Sequence, residues 1–564
     1  MAVAVMAVGA WIIKASDPGM GRHAGRPLQG EIHVPQRIIS LAVNTDEILL
    51  SLVPRERVVG VSIYATDPVK SYVWEEASGI QSLERDNADA ILALKPDLVL
   101  MSSMASKDVE QLIAKAAVKV IRVPSPKDVE GIRSNVRLVA ASVGATEKGE
   151  DLIADMDRRF AELEQLNGAL SNVGAQHAAP NISGDKEGAV RGAPTRSESP
   201  APSALYYTPS GWVSGRQSTL DIVIKAAGLR NAAAAIEGHK QVSQEWLIGV
   251  DPDVLLINEG YKEFEGFAER LKTEKAFSTL KAVKTGKILR IEARELVPVS
   301  HFIARASENL RGRLCEEGVV PRPQRVAALT LNASEILLDL LPTGRLVALH
   351  ESAASDPSSN IRERAQGLPR VGTDAEALLL LKPDLVITAS YSKPEFIVQL
   401  DKAKLPVARL TRFSGLSSIY ENIERLGNLV GEPARATAMI TTMRRRIEGL
   451  RASRPMADKP FRVLSLDVSG TVAGRGTLFG ELIELAGAVN VAAEHNIEGF
   501  GTVSAEQVQV WNPDVIVVGG DVQEEPLFKT LMNRRILRLD PSRFTCASQY
   551  IVMALHDLMQ ALYE

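Results

Sequence analysis

The sequence predicts an α/β protein built as two tandem bilobal modules, each with two small parallel-sheet lobes joined by a long rigid helix. Three observations predict it. The segment Ala90-Ile-Leu-Ala-Leu-Lys-Pro-Asp-Leu-Val-Leu100 returns almost unchanged as Ala377-Leu-Leu-Leu-Leu-Lys-Pro-Asp-Leu-Val-Ile387. Short β-branched strands alternate with helices around both copies, the pattern of parallel sheets covered on both faces. A helical region follows each copy, at 128–166 and 416–451.

In the repeated segment a short apolar helix stops at Lys-Pro-Asp, because proline cannot continue a helix and pushes the residue before it towards extended geometry. The β-branched run that follows suits a buried strand. Ahead of it, each module opens with a strand, a polar turn and a helix, at Arg37–Pro54 and Arg325–Pro342. The turns are read at Asn44-Thr45 and Asn332-Ala333, with Thr45 and Ser334 as candidate helix caps. Second strands are read at Val58–Ser62 and Leu346–His350, and third ones at Val118–Val123 and Pro406–Leu410. In the first helical region Leu152, Met156, Phe160 and Leu163 fall on one face, and Gly144 and Gly431 punctuate the two regions.

Each second lobe starts with a strand and a glycine-marked turn, Ala204–Arg216 and Arg462–Arg475. A helix ending in Ala-Gly-x-x-Asn follows, with Gly228 or Gly487 at the helix C-terminus. Val242-Ser-Gln-Glu-Trp and Val503-Ser-Ala-Glu-Gln then lead into the strands after Pro252 and Pro513. The register slips between the lobes: Lys95 and Lys382 lie 287 positions apart, Gly215 and Gly474 only 259. The first module thus carries about 28 extra residues, placed in the Gly/Ala/Ser/Pro-rich stretch 168–203 and predicted to be disordered. The organisation read is 1–36, an apolar leader and tether; 37–310, the first module; 311–324, a joint; and 325–564, the second module.

At 564 residues the chain exceeds one core, and its net charge of −4 lacks the basic stripe of a nucleic-acid binder. Cys315 and Cys546 are its two cysteines, too few for a disulfide framework or a thiolate metal site. Two buried free thiols are the reading, their pairing the alternative. The apolar run at residues 1–13 suits an export signal or membrane anchor; a buried N-terminal segment is the other reading. No nucleophile elbow, phosphate-binding loop or cysteine centre is spelled out, so no enzyme is expected.

The constellation of a KPDLV segment, two lobes around a long helix, and Val-Ser-x-Glu before a Pro-Asp-Val strand resembles the class III periplasmic binding proteins, which deliver vitamin B12, ferric siderophores or haem to ABC importers. It covers about 37–310 and 325–564. The resemblance implies a periplasmic or membrane-anchored protein that hands a metal chelate to a permease and its ATPase, with no cofactor of its own. It also implies permease docking through one carboxylate per lobe: Asp89 and Glu245 in the first module, Glu376 and Glu506 in the second. Charge-assisted bonds to arginine would fix register there; the alternative is a carboxylate favoured by the helix dipole.

Ligands of open parallel sheets lie beyond the carboxyl ends of the strands. The candidates at those ends in the first module are Tyr64, Met104, Trp212, Tyr261 and His301, with Tyr72 and Trp74 on a nearby loop. In the second they are His350, Tyr391, Phe413, Asp467, Asp521 and Arg543. Aromatic rings suit a corrin or porphyrin face. His301, Tyr64, His350 and Tyr391 are the candidates for an axial ligand to haem iron, each also readable as a surface or core residue. No cluster for a bare metal ion is expected.

Overall fold

The computed structural model describes residues 34–177, 200–342, 344–455, 459–520, 525–531, 533–545 and 547–563. The N-terminal leader, most of the extra stretch, Asp521 and Cys546 lie outside them.

The first lobe is a five-stranded sheet of β1 (Ile38–Ser40), β2 (Val58–Ser62), β3 (Gln81–Leu83), β4 (Leu98–Ser102) and β5 (Lys119–Val123), in the order β3-β2-β1-β4-β5 and parallel throughout. The second holds β6 (Ser203–Tyr206), β8 (Arg230–Asn231), β10 (Val254–Glu259) and β11 (Ile288–Glu292) in the order β11-β10-β6-β8. An antiparallel ribbon of β7 (Trp212–Ser214) and β9 (His239–Gln241) flanks it.

The second half repeats this plan. β12 (Val326–Ala328), β13 (Leu346–His350), β14 (Arg370–Val371), β15 (Leu385–Ala389) and β16 (Val407–Leu410) form a parallel sheet in the order β14-β13-β12-β15-β16. β17 (Arg462–Ser465), β19 (Val489–Asn490), β21 (Val515–Gly519) and β22 (Arg535–Leu539) form another, with a ribbon of β18 (Thr471–Ala473) and β20 (Phe500–Thr502). Strands next to the sheet centre are buried along their length, as their unbroken apolar runs require.

The predicted strut of each module is a pair of helices. Val129–Val143 ends at Gly144, whose left-handed φ of 71° turns the chain back. Thr146–His177, 32 residues and about 48 Å long at 1.5 Å per residue, then runs to the second lobe. Arg133–Asp157 and Arg137–Glu150 ion pairs clasp the two helices. In the second module Gly415–Val430 and Pro433–Ala452 are divided at Gly431, φ 72°.

Three boundaries differ from the sequence reading. The opening helices start earlier than the expected turns, at Val43 and Leu331, with Ala42 and Thr330 at the cap positions in place of Thr45 and Ser334. The stretch expected to be disordered from 168 is helical to His177, and Leu170 in it is buried. The expected joint from Arg311 is still helix, since Ile303–Glu316 closes the first module. Arg311 is almost wholly buried there, its guanidinium donating to Asn167 Oδ1 (2.9 Å) and Pro321 O (3.1 Å).

The halves are not beads on a string. Leu163, Leu166 and Leu170 of the first module's long helix belong to one continuous core with Leu410, Ile423 and Leu426 of the second. Helix Ile303–Glu316 packs on Gly415–Val430 so closely that a Cβ on Gly312 would lie 2.7 Å from the Cα of Asn428.

Candidate functional site

Residues just beyond strands of both lobes meet in the first module. Tyr64 follows β2, Met104 follows β4, Tyr261 follows β10 and Trp212 opens β7; all four are exposed. Lys70 draws two of them together across the lobes. Its ammonium lies 5.5 Å from the ring centre of Tyr64 and 5.1 Å from that of Tyr261, within cation–π range. Asp67, 2.9 Å away, anchors it and raises its pKa. Gly260 lets lobe 2 approach: at φ 98° it would, with a Cβ, strike Val69 Cγ1 at 2.3 Å. The Arg294 amide also donates to Val69 O at 3.0 Å. The site therefore offers two aromatic faces, one from each lobe, with a fixed cation between them.

Three first-module candidates lie elsewhere, in the seam between modules. His301 is buried beside Phe302 in a cavity of about 10 Å³, room for a single water. Leu152, Met156, Arg159, Arg412 and Glu421 also line it. Burial lowers the His301 pKa to about 3, and Arg412 adds to this, so the imidazole is neutral. Trp74 stands next to Glu75, which pairs with Arg444 of the second module; the Arg444 guanidinium is 6.0 Å from the Trp74 ring. Tyr72 is buried, stacked on Phe302 at 5.0 Å. Sequence reading put His301 at a strand end and Tyr72 and Trp74 on a loop, and could not show which side of the module another module covers.

In the second module Tyr391 is exposed, and its ring packs 5.2 Å from Phe413. Its hydroxyl donates to Asn332 Oδ1 at 3.4 Å. Three further candidates, His350, Asp467 and Arg543, make local structural contacts. His350 Nδ1 accepts from the Ser352 amide at 3.3 Å, and burial lowers its pKa. Asp467 Oδ1 closes its own turn on the Ser469 and Thr471 amides at 2.8 and 2.9 Å. Arg543 ties Asp557 (3.1 Å) and Asn360 together. Tyr391 and Phe413 form the aromatic pair there. Among the described residues no group of three His, Cys, Asp or Glu side chains could hold a metal ion.

A repeated buried glutamate went unnoticed in the sequence. Glu47 accepts from the Tyr72 amide (3.0 Å) and the Ser300 hydroxyl, joining the first lobe to the start of the closing helix. Glu335 does the same with the Asn360 amide (2.8 Å) and the Ser548 hydroxyl. The signal was available: both stand at the same place in the aligned module openings. Burial raises Glu47 to about 7, and its neighbour Asp46, which accepts from Ser62, likewise.

The four carboxylates occupy equivalent places. Asp89, Glu245, Glu376 and Glu506 each lie exposed in the first turn of a short helix. The caps are other residues: Asn87, Ser243, Asp374 and Ser504 accept the amides of Ala90, Trp246, Glu376 and Gln507 at 3.0 to 3.3 Å. The four carboxylates are thus not needed for capping. Hydroxyls of Ser243 and Ser504 lower the pKa of Glu245 and Glu506.

A sequence profile described as "Periplasmic binding protein" matches residues 38–295 and again 326–539. The chain belongs to the periplasmic binding protein family. Similar relatives include a cobalamin-binding protein of Halobacterium salinarum, 28% identical over 199 residues, which are 35% of this chain and 54% of that protein. An ABC transporter substrate-binding lipoprotein, YvrC of Bacillus subtilis, is 25% identical over 261 residues, 46% of this chain and 73% of the relative. The chain thus spans about half the length of the first of these relatives. Among solved structures, the periplasmic heme-binding protein BhuT in complex with two hemes is 22% identical, with a TM-score of 0.39 over 50% of this chain and 98% of that one. In this periplasmic binding protein the closing helix Ile303–Glu316, which brings Glu308 and Gly312 to the seam, falls between the two matched stretches. No described helix is long and apolar enough to cross a membrane.

Proposed function

We propose that the chain is the substrate-binding component of an ABC importer, working outside the cytoplasm and performing no chemistry on its cargo. It captures a metal chelate, namely an iron–siderophore, haem or cobalamin, in the cleft of the first module and hands it to the permease and its ATPase. One observation carries this reading: Tyr64 and Tyr261 meet across two lobes around Lys70. Two aromatic faces suit a planar macrocycle or an aromatic chelator, and the lysine suits a carboxylate or other anionic edge. The names of the cobalamin- and siderophore-binding relatives support the same cargo class.

The test is a titration of the full chain with haemin, cobalamin and a ferric hydroxamate, followed by visible absorption. Saturable binding of one of them is expected. A flat response to all three would remove the chelate reading and leave a tandem scaffold of the same fold.

A further inference from the structure

Tyr64 and Lys70 of the first-module site stand on a strap, residues 64–75, that leaves β2 and runs through turns into the short helix Trp74–Ala77. Its internal hydrogen bonds are local: the Asp67 amide donates to Tyr64 O at 3.2 Å, and the Lys70 and Ser71 amides to Asp67 O at 3.0 Å. The strap belongs to no sheet, so the positions of Tyr64 and Lys70 depend on what it touches.

Val69 fixes its middle to the second lobe, through the Arg294 amide and the close approach of Gly260. Beyond Val69, two anchorages reach into the second module. The Tyr72 ring lies 4.9 Å from the Arg305 guanidinium. Glu424 of helix Gly415–Val430 takes that guanidinium as a fork, at 2.6 and 3.3 Å. Asn309 donates to the same carboxylate at 3.0 Å. At the strap's end Glu75 pairs with Arg444 of helix Pro433–Ala452. The Arg444 guanidinium lies 4.4 Å from the ring of Tyr420 and 6.0 Å from that of Trp74, one ring from each module.

The second module has the same strap without this cover. Asn360 stands where Tyr72 does, since the amide of each donates to the buried glutamate of its module. In that register Trp74 and Glu75 correspond to Arg362 and Glu363, which are exposed, and Tyr64 and Lys70 to Ser352 and Ser358. The ring and the cation thus occur on the strap that another module braces and are absent from the other.

Resting on the cargo reading above, we propose that the second module is a brace for the first: Glu424 and Arg444 are positioning residues that fix the strap and so present Tyr64 and Lys70 to cargo. Glu424 acts through Arg305 and Tyr72, and Arg444 through Trp74 and Glu75. A strap held in place before cargo arrives removes an ordering cost that binding would otherwise carry.

The experiment follows the full chain and its variants by two readouts: binding of haemin, cobalamin and a ferric hydroxamate, and hydrogen exchange of the strap amides without cargo. Arg444→Met and Glu424→Gln should each weaken binding of the chelate at least threefold and speed exchange at Lys70, Ser71 and Tyr72 at least threefold. Arg444→Lys, which keeps the charge, should stay within twofold of the unmutated chain. Arg158→Met is the control, since the Arg158 hydrogen bonds go to Asp155, Glu162, Arg409 and Thr411 and not to the strap. It should leave both readouts within twofold. Thermal melts check each fold, and Arg444→Met, at a half-exposed position, decides alone if Glu424→Gln does not fold. An equal loss from Arg158→Met, or unchanged affinity or unchanged exchange in Arg444→Met, would overturn the brace and leave the cargo reading standing. No binding of any probe by the unmutated chain would overturn that reading and this inference with it.

Discussion

Glu47 and Glu335 show how one residue can hold a lobe to its closing helix. Each carboxylate sits where an amide and a hydroxyl from distant loops converge, so removing it strands two buried donors. Glu47→Ala and Glu335→Ala should each cost roughly 2 kcal/mol or more, read as a lowered melting temperature. A pH dependence follows from the same region. Burial raises Asp46, Glu47 and Glu295 to about 7 from ordinary values of 3.8 to 4.5. An acid raised in the fold contributes stability that is fully present below the unfolded pKa and lost as pH rises through the folded one. His301, lowered from 6.5 to about 3, acts in the opposite sense, gaining as pH rises towards 6.5 and constant above it. Three carboxyls against one imidazole predict a melting temperature that falls by a few degrees from pH 6 to 8, about 1 kcal/mol per carboxyl. Asp46→Asn should flatten that slope in a buffer series.

At the scale of elements, the seam decides how the two halves behave. Arg159 and Arg425 are buried among Glu308, Glu421 and Glu162, drawn from three helices of both modules. Burial would raise Glu421, yet Arg159, Arg412 and Arg305 hold it at about 2, so its carboxylate stays ionised across the physiological range. Breaking one partner of such a network leaves an uncompensated buried charge. Arg425→Met should therefore destabilise by about 3–5 kcal/mol, and residues 325–564 alone should melt below the full chain. The alternation of strands and helices was legible from local patterns, because apolar runs and Pro/Gly breaks are written in consecutive residues. The seam was not, because Arg159 and Arg425 read as polar faces of amphipathic helices until a second helix covers them. Leu166 and Leu170 were the overlooked hint: they carry the apolar stripe on from Leu163 past Asn167, into a stretch that composition assigned to disorder.

For the whole molecule, the consequence is a rigid pair with unlike ends. Tyr64 and Tyr261 could be named from strand-end position alone, while Lys70, which joins them, could not, since its role appears only once two lobes close on it. His301, named by the same rule, and Trp74, named from a nearby loop, fell into the seam, because neither placement says which end a neighbouring module covers. With Tyr64, Lys70 and Tyr261 gathered in the first module, cargo should bind the full chain at one site.

The measurement that tests the central claim most directly is equilibrium binding of that cargo class by the full chain beside two variants, Tyr64→Ala/Tyr261→Ala and Tyr391→Ala. Haemin, cobalamin and a ferric hydroxamate serve as probes. The first-module cleft predicts one chelate per chain, with affinity at least tenfold weaker in the double variant and unchanged in Tyr391→Ala. Binding of a chelate that survives the double variant and is lost with Tyr391→Ala would contradict it and place the cargo in the second module.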